Sequence, residues 1–153
     1  MIETGVLFSI TVFDEFICSM TNPKLNKSEL TYNTNIHSND SSSGRMATVL
    51  QVLPFLGSDG GVERGAVEIA QAIVETGGKA IVAAATGPKV HELNRVKAKH
   101  IDLPLNSKNP IVIYKNIARL VQIIKNERVD IVHARSRAPA WSAFFAAKKT
   151  SPL

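Results

Sequence analysis

"FLGSDGGVERG", residues 55–65, is the stretch on which the fold turns. Before it stands "TVLQVL" (48–53), a short and nearly continuous apolar run of the kind found in a strand buried on both faces. After it Val62, Ala66, Ile69, Ala70, Ile73 and Val74 recur at helical spacing, with Glu68, Gln71 and Glu75 opposite and Gly77 and Gly78 as a stop. A strand that passes into a helix through a glycine-rich turn is the first half of a strand-helix-strand unit.

Outward from this unit the alternation continues. "AIVAAA" (80–85) reads as a second buried strand, and "KVHELNRVKA" (89–98) as a short helix after Pro88. "HIDLPL" (100–105) is a weaker third strand. Pro110 suits a first helical turn, and Ile113, Ile117, Leu120, Val121 and Ile124 line one face of the long helix that follows. "VDIVHA" (129–134) is a fourth strand, and "SRAPAWSAFFAAKKT" (136–150) opens another helix with Pro139 near its start. Short links between alternating strands and helices imply right-handed crossovers, hence an α/β, Rossmann-like parallel sheet with helices on both faces. Four strands are about half of a doubly wound domain, so the expectation is a fragment of a longer polypeptide.

The chain has 153 residues, enough for one domain with a real core. Residues 21–45 are rich in Asn, Ser and Thr and poor in core formers, which predicts a poorly ordered extension over residues 1–46 and a folded domain over residues 47–153. "GVLFSITVF" (5–13) is the exception in that extension: it reads either as part of the tail or as an added edge strand. It lacks the flanking positive charge and the cleavage site of a signal peptide. The formal net charge is +5, and the basic excess sits after residue 46, because the first 46 residues hold three Lys and Arg against five Asp and Glu. No basic run is interleaved with aromatics, which argues against nucleic acid. Cys18 is the single cysteine, so no intrachain disulfide is possible and a reducing, cytoplasmic compartment is expected. No apolar stretch approaches the ~20 residues of a membrane span.

In an open parallel sheet, ligands lie beyond the carboxyl ends of the strands, next to the point where strand order reverses. The amides of Gly60, Gly61 and Val62 there face the positive end of a helix dipole, so an anion is the natural guest. The other reading is that Gly57, Gly60 and Gly61 only make the turn and Gly65 permits close helix–sheet packing. A Walker loop is excluded, because Ala66 and Val67 stand where lysine and a hydroxyl are needed. The dinucleotide pattern G-x-G-x-x-G has no match, and the second strand ends "AAATG" without an acid for a ribose. Glu63 is suited to a helix start. Arg64 either meets an anion or sits in solvent. Arg135, Ser136 and Arg137 form a compact anion-binding set before a helix, unless one arginine pairs with Asp130 or another local acid. Trp141, Phe144 and Phe145 read as cover for the sheet rather than as a sugar platform. No metal-ligand spacing is legible among the histidines and acids.

"VLQVLPFLGSDGGVERGAVEIAQAI" (49–73) followed by "RVDIVHARSRAPAWSA" (128–143) resembles the amino-terminal domain of the GT-B fold glycosyltransferases of family four. The likeness covers roughly residues 47–150. It implies a retaining, hexosyl-type transferase with two Rossmann-like domains, of which this chain is the incomplete acceptor-side half. It further implies a nucleotide-sugar donor substrate without another cofactor, and a glycan or lipid-linked acceptor of cell-surface glycolipid, polysaccharide or lipopolysaccharide synthesis. Peripheral contact with the inner face of the cell membrane is part of the same expectation. Gly60 and Gly61 match the family's glycine loop, and His133 matches a histidine at the end of the fourth strand. Many members continue His-x-His where this chain reads His133-Ala134-Arg135. The expected substrate- or phosphate-binding set is therefore Gly60, Gly61, Arg64, His133, Arg135, Ser136 and Arg137, with no catalytic residue assigned and no metal. The donor-binding domain is expected to lie outside this sequence, leaving the chain inactive alone. Competing readings are a non-enzymatic anion- or partner-binding module and a relic of a split gene. A receiver-like module would need an acid cluster, and Pro54-Phe55-Leu56 supplies none.

Overall fold

A computed structural model describes residues 7–10 and 46–150; the remainder of the expected extension lies outside the described residues. The elements, in chain order, are β1 (Leu7–Ile10), β2 (Thr48–Phe55), α1 (Gly61–Glu75), β3 (Lys79–Ala85), α2 (Val90–Arg95), β4 (Lys99–Asp102), α3 (Pro110–Glu127), β5 (Ile131–Ala134) and α4 (Arg137–Thr150). All five strands are parallel, in the order β1-β5-β2-β3-β4. The alternation read from the sequence is thus present, with one strand more: Leu7–Ile10, inside "GVLFSITVF", pairs with β5.

The two faces of the sheet bury different layers. Leu50, Val52, Ile81, Ala83, Val132 and Ala134 pack against Leu120 and Ile124 of α3 and Ala143, Ala146 and Ala147 of α4. Leu53, Ala80, Val82 and Ala84 point the other way, onto Ala66, Val67 and Ala70 of α1 and Leu93 of α2. Alternation along each strand, with both sets apolar, is what makes "TVLQVL" and "AIVAAA" look continuous in sequence. β2 is central, and its Pro54 falls where the register with β3 shifts, beyond the last β2–β5 pair at Val52–Ala134. The missing N–H of proline is tolerated at such an irregularity.

Helix ends follow local rules. Asn109 accepts from the Ile111 amide at 2.9 Å, and Pro110 takes the first turn of α3. Gly77, with φ of 85°, ends α1: Gly78 N–H donates to Ile73 O at 2.8 Å and Gly77 N–H to Val74 O at 3.0 Å. At the amino-terminal edge of the sheet, Lys79 and Lys99 both donate to Glu127 at 2.7 Å and hold its carboxyl below its ordinary pKa. Two predicted strands are shorter than read. β4 ends at Asp102, ahead of Leu103-Pro104, and β5 begins at Ile131 because the Asp130 carboxylate accepts from Thr48 N–H at 2.8 Å.

The aromatic residues of α4 require a correction. Trp141, Phe144 and Phe145 do not cover the sheet: they are 59%, 38% and 44% exposed. Trp141 stacks on Phe145 at 6.2 Å and Phe144 meets Phe145 edge-on at 5.6 Å. The face turned inward is Pro139, Ser142, Ala143, Ala146 and Ala147, because small side chains let the helix lie close on the sheet and α3.

Candidate functional site

The strand order reverses at β2: β3 and β4 follow on one side, and β5 returns to the other. The carboxyl ends of β2 and β5 are therefore neighbours, and the loops leaving them start at the switch point beside which ligands lie in doubly wound sheets. Arg135 N–H donates to Val52 O at 3.0 Å across this junction. His133 stands in register with Gln51, which puts both on the face covered by α1.

Gln51 is fully buried in the central strand, and its partners explain why a polar residue is accepted there. Its Nε2 donates to Ala66 O of α1 at 3.0 Å, and its Oε1 accepts from Arg135 Nη1 at 3.5 Å. The same Nη1 donates to Gly65 O at 3.3 Å. A Cβ built on Gly65 would lie 2.7 Å from Arg135 Nη2. Gly65 thus makes room for a guanidinium, where the sequence reading had it permitting helix–sheet packing. Burial lowers the pKa of Arg135 from its usual value, with Glu68 opposing, and Nε is buried without a hydrogen-bond partner. Burial also lowers the His133 pKa, and the charge of Arg135 adds to that shift. A guanidinium held by Gln51 and Gly65, beside an imidazole whose charged form is disfavoured, is the electrostatic character of this junction.

The glycine turn opens on a second feature, a groove of about 1010 Å³ between α1 and α2. Gly60, Gly61, Arg64 and Lys89 line it, together with the carboxylates Asp59, Glu68, Glu75 and Glu92. Gly60 caps α1 in an extended conformation without any side-chain cap, so the first amides of the helix have no side-chain acceptor from their own cap residue. A Cβ on Gly60 would collide with the Glu63 carboxylate, which folds back over the helix start. A Cβ on Gly61 would meet nothing within 4 Å. Neither glycine has positive φ, so the turn itself does not demand glycine at position 61. Arg64 is largely exposed and pairs with Glu68 at 3.4 Å, and Lys89 pairs with Glu92 at 3.1 Å.

The expected site residues therefore fall in two groups. Gly60, Gly61 and Arg64 lie on the groove, and His133 and Arg135 lie at the β2–β5 junction behind the first turns of α1. Ser136 is half-buried immediately before α4, and its carbonyl accepts from Ala140 N–H at 3.2 Å; Arg137 is exposed on the first turn of that helix. Arg135 and Arg137 do not form one claw, since Arg135 turns inward toward Gly65. Gln51 and Lys89 escaped the sequence reading. The one signal for Gln51 was a lone amide in an otherwise apolar strand. Among the described residues no group of three or more His, Cys, Asp or Glu is placed to hold a metal ion, and no helix is long and apolar enough to cross a membrane.

Comparison with known proteins adds family to geometry. Residues 59–153 match the family model described as Glycosyltransferase Family 4. A solved structure, that of a glycosyltransferase from Rickettsia africae ESF-5, is similar with a TM-score of 0.63 and 43% sequence identity. The match covers 71% of this chain and 28% of that one, so the present sequence spans under a third of its solved relative. No curated protein matches.

Proposed function

The chain belongs to glycosyltransferase family 4, and from that premise we propose that residues 47–153 serve as the acceptor-side part of a retaining, hexosyl-type transferase of the GT-B fold. The donor in this reading is a nucleotide-sugar, needing no other cofactor, and the acceptor is a glycan or lipid-linked molecule of cell-surface polysaccharide or glycolipid synthesis. Work at the cytoplasmic face of the membrane belongs to the same reading.

One observation carries it: the space at Gly61. The fold does not need glycine there, since a Cβ meets nothing and φ is not positive, yet the position stands over an open groove at the start of α1, whose cap residue has no side chain and where a bound anion would take the place of the Glu63 carboxylate. Bare backbone at such a point lets an anionic group reach the amides at the positive end of the dipole. In this reading Gly60 and Gly61 present amides to a phosphate, and Arg64 gives up its exposed pairing with Glu68, worth under ~1 kcal/mol, to meet it. His133, Arg135, Ser136 and Arg137, which follow one another from the end of β5 into α4 and lie outside the lining of the groove, are assigned in the same reading to the remainder of the substrate.

The test is calorimetric titration of the full chain with inorganic phosphate, pyrophosphate, UDP and GDP. Saturable binding weakened at least about tenfold by Gly61→Val is the expected result. Because the added side chain enters open space, the variant should unfold at the same urea concentration as the parent. A folded Gly61→Val chain that binds these ligands as well as the parent would remove the glycine turn from the site.

A further inference from the structure

Arg135 is pinned at both ends by uncharged partners. Its backbone N–H donates to Val52 O at 3.0 Å, which fixes the residue at the carboxyl end of β2. At the far end of the side chain Nη1 donates to Gly65 O at 3.3 Å and to Gln51 Oε1 at 3.5 Å. Among the described residues no carboxylate forms an ion pair with the guanidinium; Glu68 acts on it only through space. A half-buried cation is normally matched by an anion, because desolvating an unpaired charge is costly. Here neutral oxygens hold the group still and leave its charge uncompensated, and Nη2 donates to no described residue.

The surroundings of this guanidinium are shaped for it. Gln51 is fully buried, and its own bond from Nε2 to Ala66 O at 3.0 Å aims Oε1 at Arg135. The three atoms nearest to a Cβ built on Gly65 all belong to the guanidinium: Nη2 at 2.7 Å, Cζ at 3.6 Å and Nη1 at 3.9 Å. Gly65 lies inside α1 without positive φ, where alanine would favour the helix more. What glycine spares at this position is therefore the side chain of Arg135 and not the backbone.

We propose, resting on the assignment of Arg135 to the substrate made above, that Gln51 and Gly65 are positioning residues: acting through Arg135, the strand amide and the bare helix position hold its guanidinium ready for an oxyanion, carboxylate or phosphate, on the sugar acceptor. Hydrogen bonds to neutral groups fix the guanidinium without neutralising it, and a side chain already held loses little freedom when the ligand arrives.

The experiment is calorimetric titration of the full chain with glucose 1-phosphate and glucuronate, and with glucose as the uncharged control. The anion that binds more tightly tells phosphate from carboxylate, and glucose binding as well as either would overturn the proposal. Arg135→Met should weaken the tighter anion by at least about tenfold, and Gly65→Ala and Gln51→Met should each approach that loss while adding little in an Arg135→Met background. Gly65→Ala requires only the guanidinium to move and suits a helix, so its urea midpoint should not fall below that of the parent; it decides the matter if Gln51→Met does not fold. Unchanged binding by Arg135→Met or by Gly65→Ala, or a loss on Gly65→Ala that is equal with and without Arg135, would overturn the positioning role. Gly61→Val keeps this apart from the glycine turn. A loss on Gly61→Val with none on Gly65→Ala removes the positioning and leaves the turn; the reverse removes the turn alone. A folded parent that binds neither anion would overturn both.

Discussion

A side chain added at Gly61 and one added at Gly87 meet opposite surroundings, and the contrast separates a glycine kept for the fold from one that the fold does not need. At Gly87 a Cβ would run into the backbone carbonyl of Leu56, an atom that cannot move aside without shifting the loop after β2. Gly87→Ala is therefore expected to cost more than about 2 kcal/mol in urea denaturation, and Gly61→Ala to stay within about 0.5 kcal/mol of the parent. His133 supplies a second prediction at this scale. Its folded pKa lies below its ordinary value through burial, then through Arg135. As pH falls through ~6.5 the unfolded chain takes up a proton that the folded imidazole refuses, so stability is full above that pH and declines below it until the folded group also titrates. Denaturation midpoints taken from pH 8 to 5 should fall in the parent and flatten in His133→Gln. Glycine turns and a strand-end histidine were legible in the sequence because they are local. The Gln51–Gly65–Arg135 contact was not, since Arg135 is separated by 84 residues from Gln51 and by 70 from Gly65.

At the scale of elements, α1 and α2 end in the same hydrogen-bonded turn with different residues at its left-handed position. Gly77 fills it after α1, whereas Lys97, at φ of 61°, fills it after α2. There Ala98 N–H donates to Leu93 O at 3.0 Å and Lys97 N–H to Asn94 O at 3.1 Å. A lysine in this conformation is strained by roughly 1 kcal/mol. Lys97→Gly should thus raise stability by about 0.5–1 kcal/mol, read as a higher urea midpoint with an unchanged slope. The sequence marked the end of α1 clearly and that of α2 poorly for this reason: only one carries the residue that usually signals the turn. The same limit applied to α4. Trp141, Phe144 and Phe145 were read as cover for the sheet, but the helix also carries a stripe of small residues, and spacing alone does not say which is inward. The close seat of α4 on the sheet and α3 decided for the small one.

Over the whole molecule the sheet separates two apolar layers, and Leu93 and Leu120 are fully buried on opposite sides of it. Leu93→Ala and Leu120→Ala should each cost about 2–5 kcal/mol, and if the double variant folds the costs should add within about 0.5 kcal/mol. A thermodynamic cycle with a larger coupling would mean that the layers respond as one. Fold class and strand direction were readable from alternation alone, because apolar runs too short for helices between amphipathic helices leave few other architectures. The place of residues 7–10 was not, because edge pairing depends on which slot is vacant, a property of the assembled sheet. The junction of β2 with β5 has a kinetic side as well. β2, α1, β3, α2 and β4 associate between near neighbours in sequence, whereas Asp130 must find Thr48 across 82 residues. Closing so long a loop is the slow kind of step in folding. The groove between α1 and α2, lined only by residues from Ser58 to Lys97, can thus form in a chain whose β2–β5 junction has not yet closed.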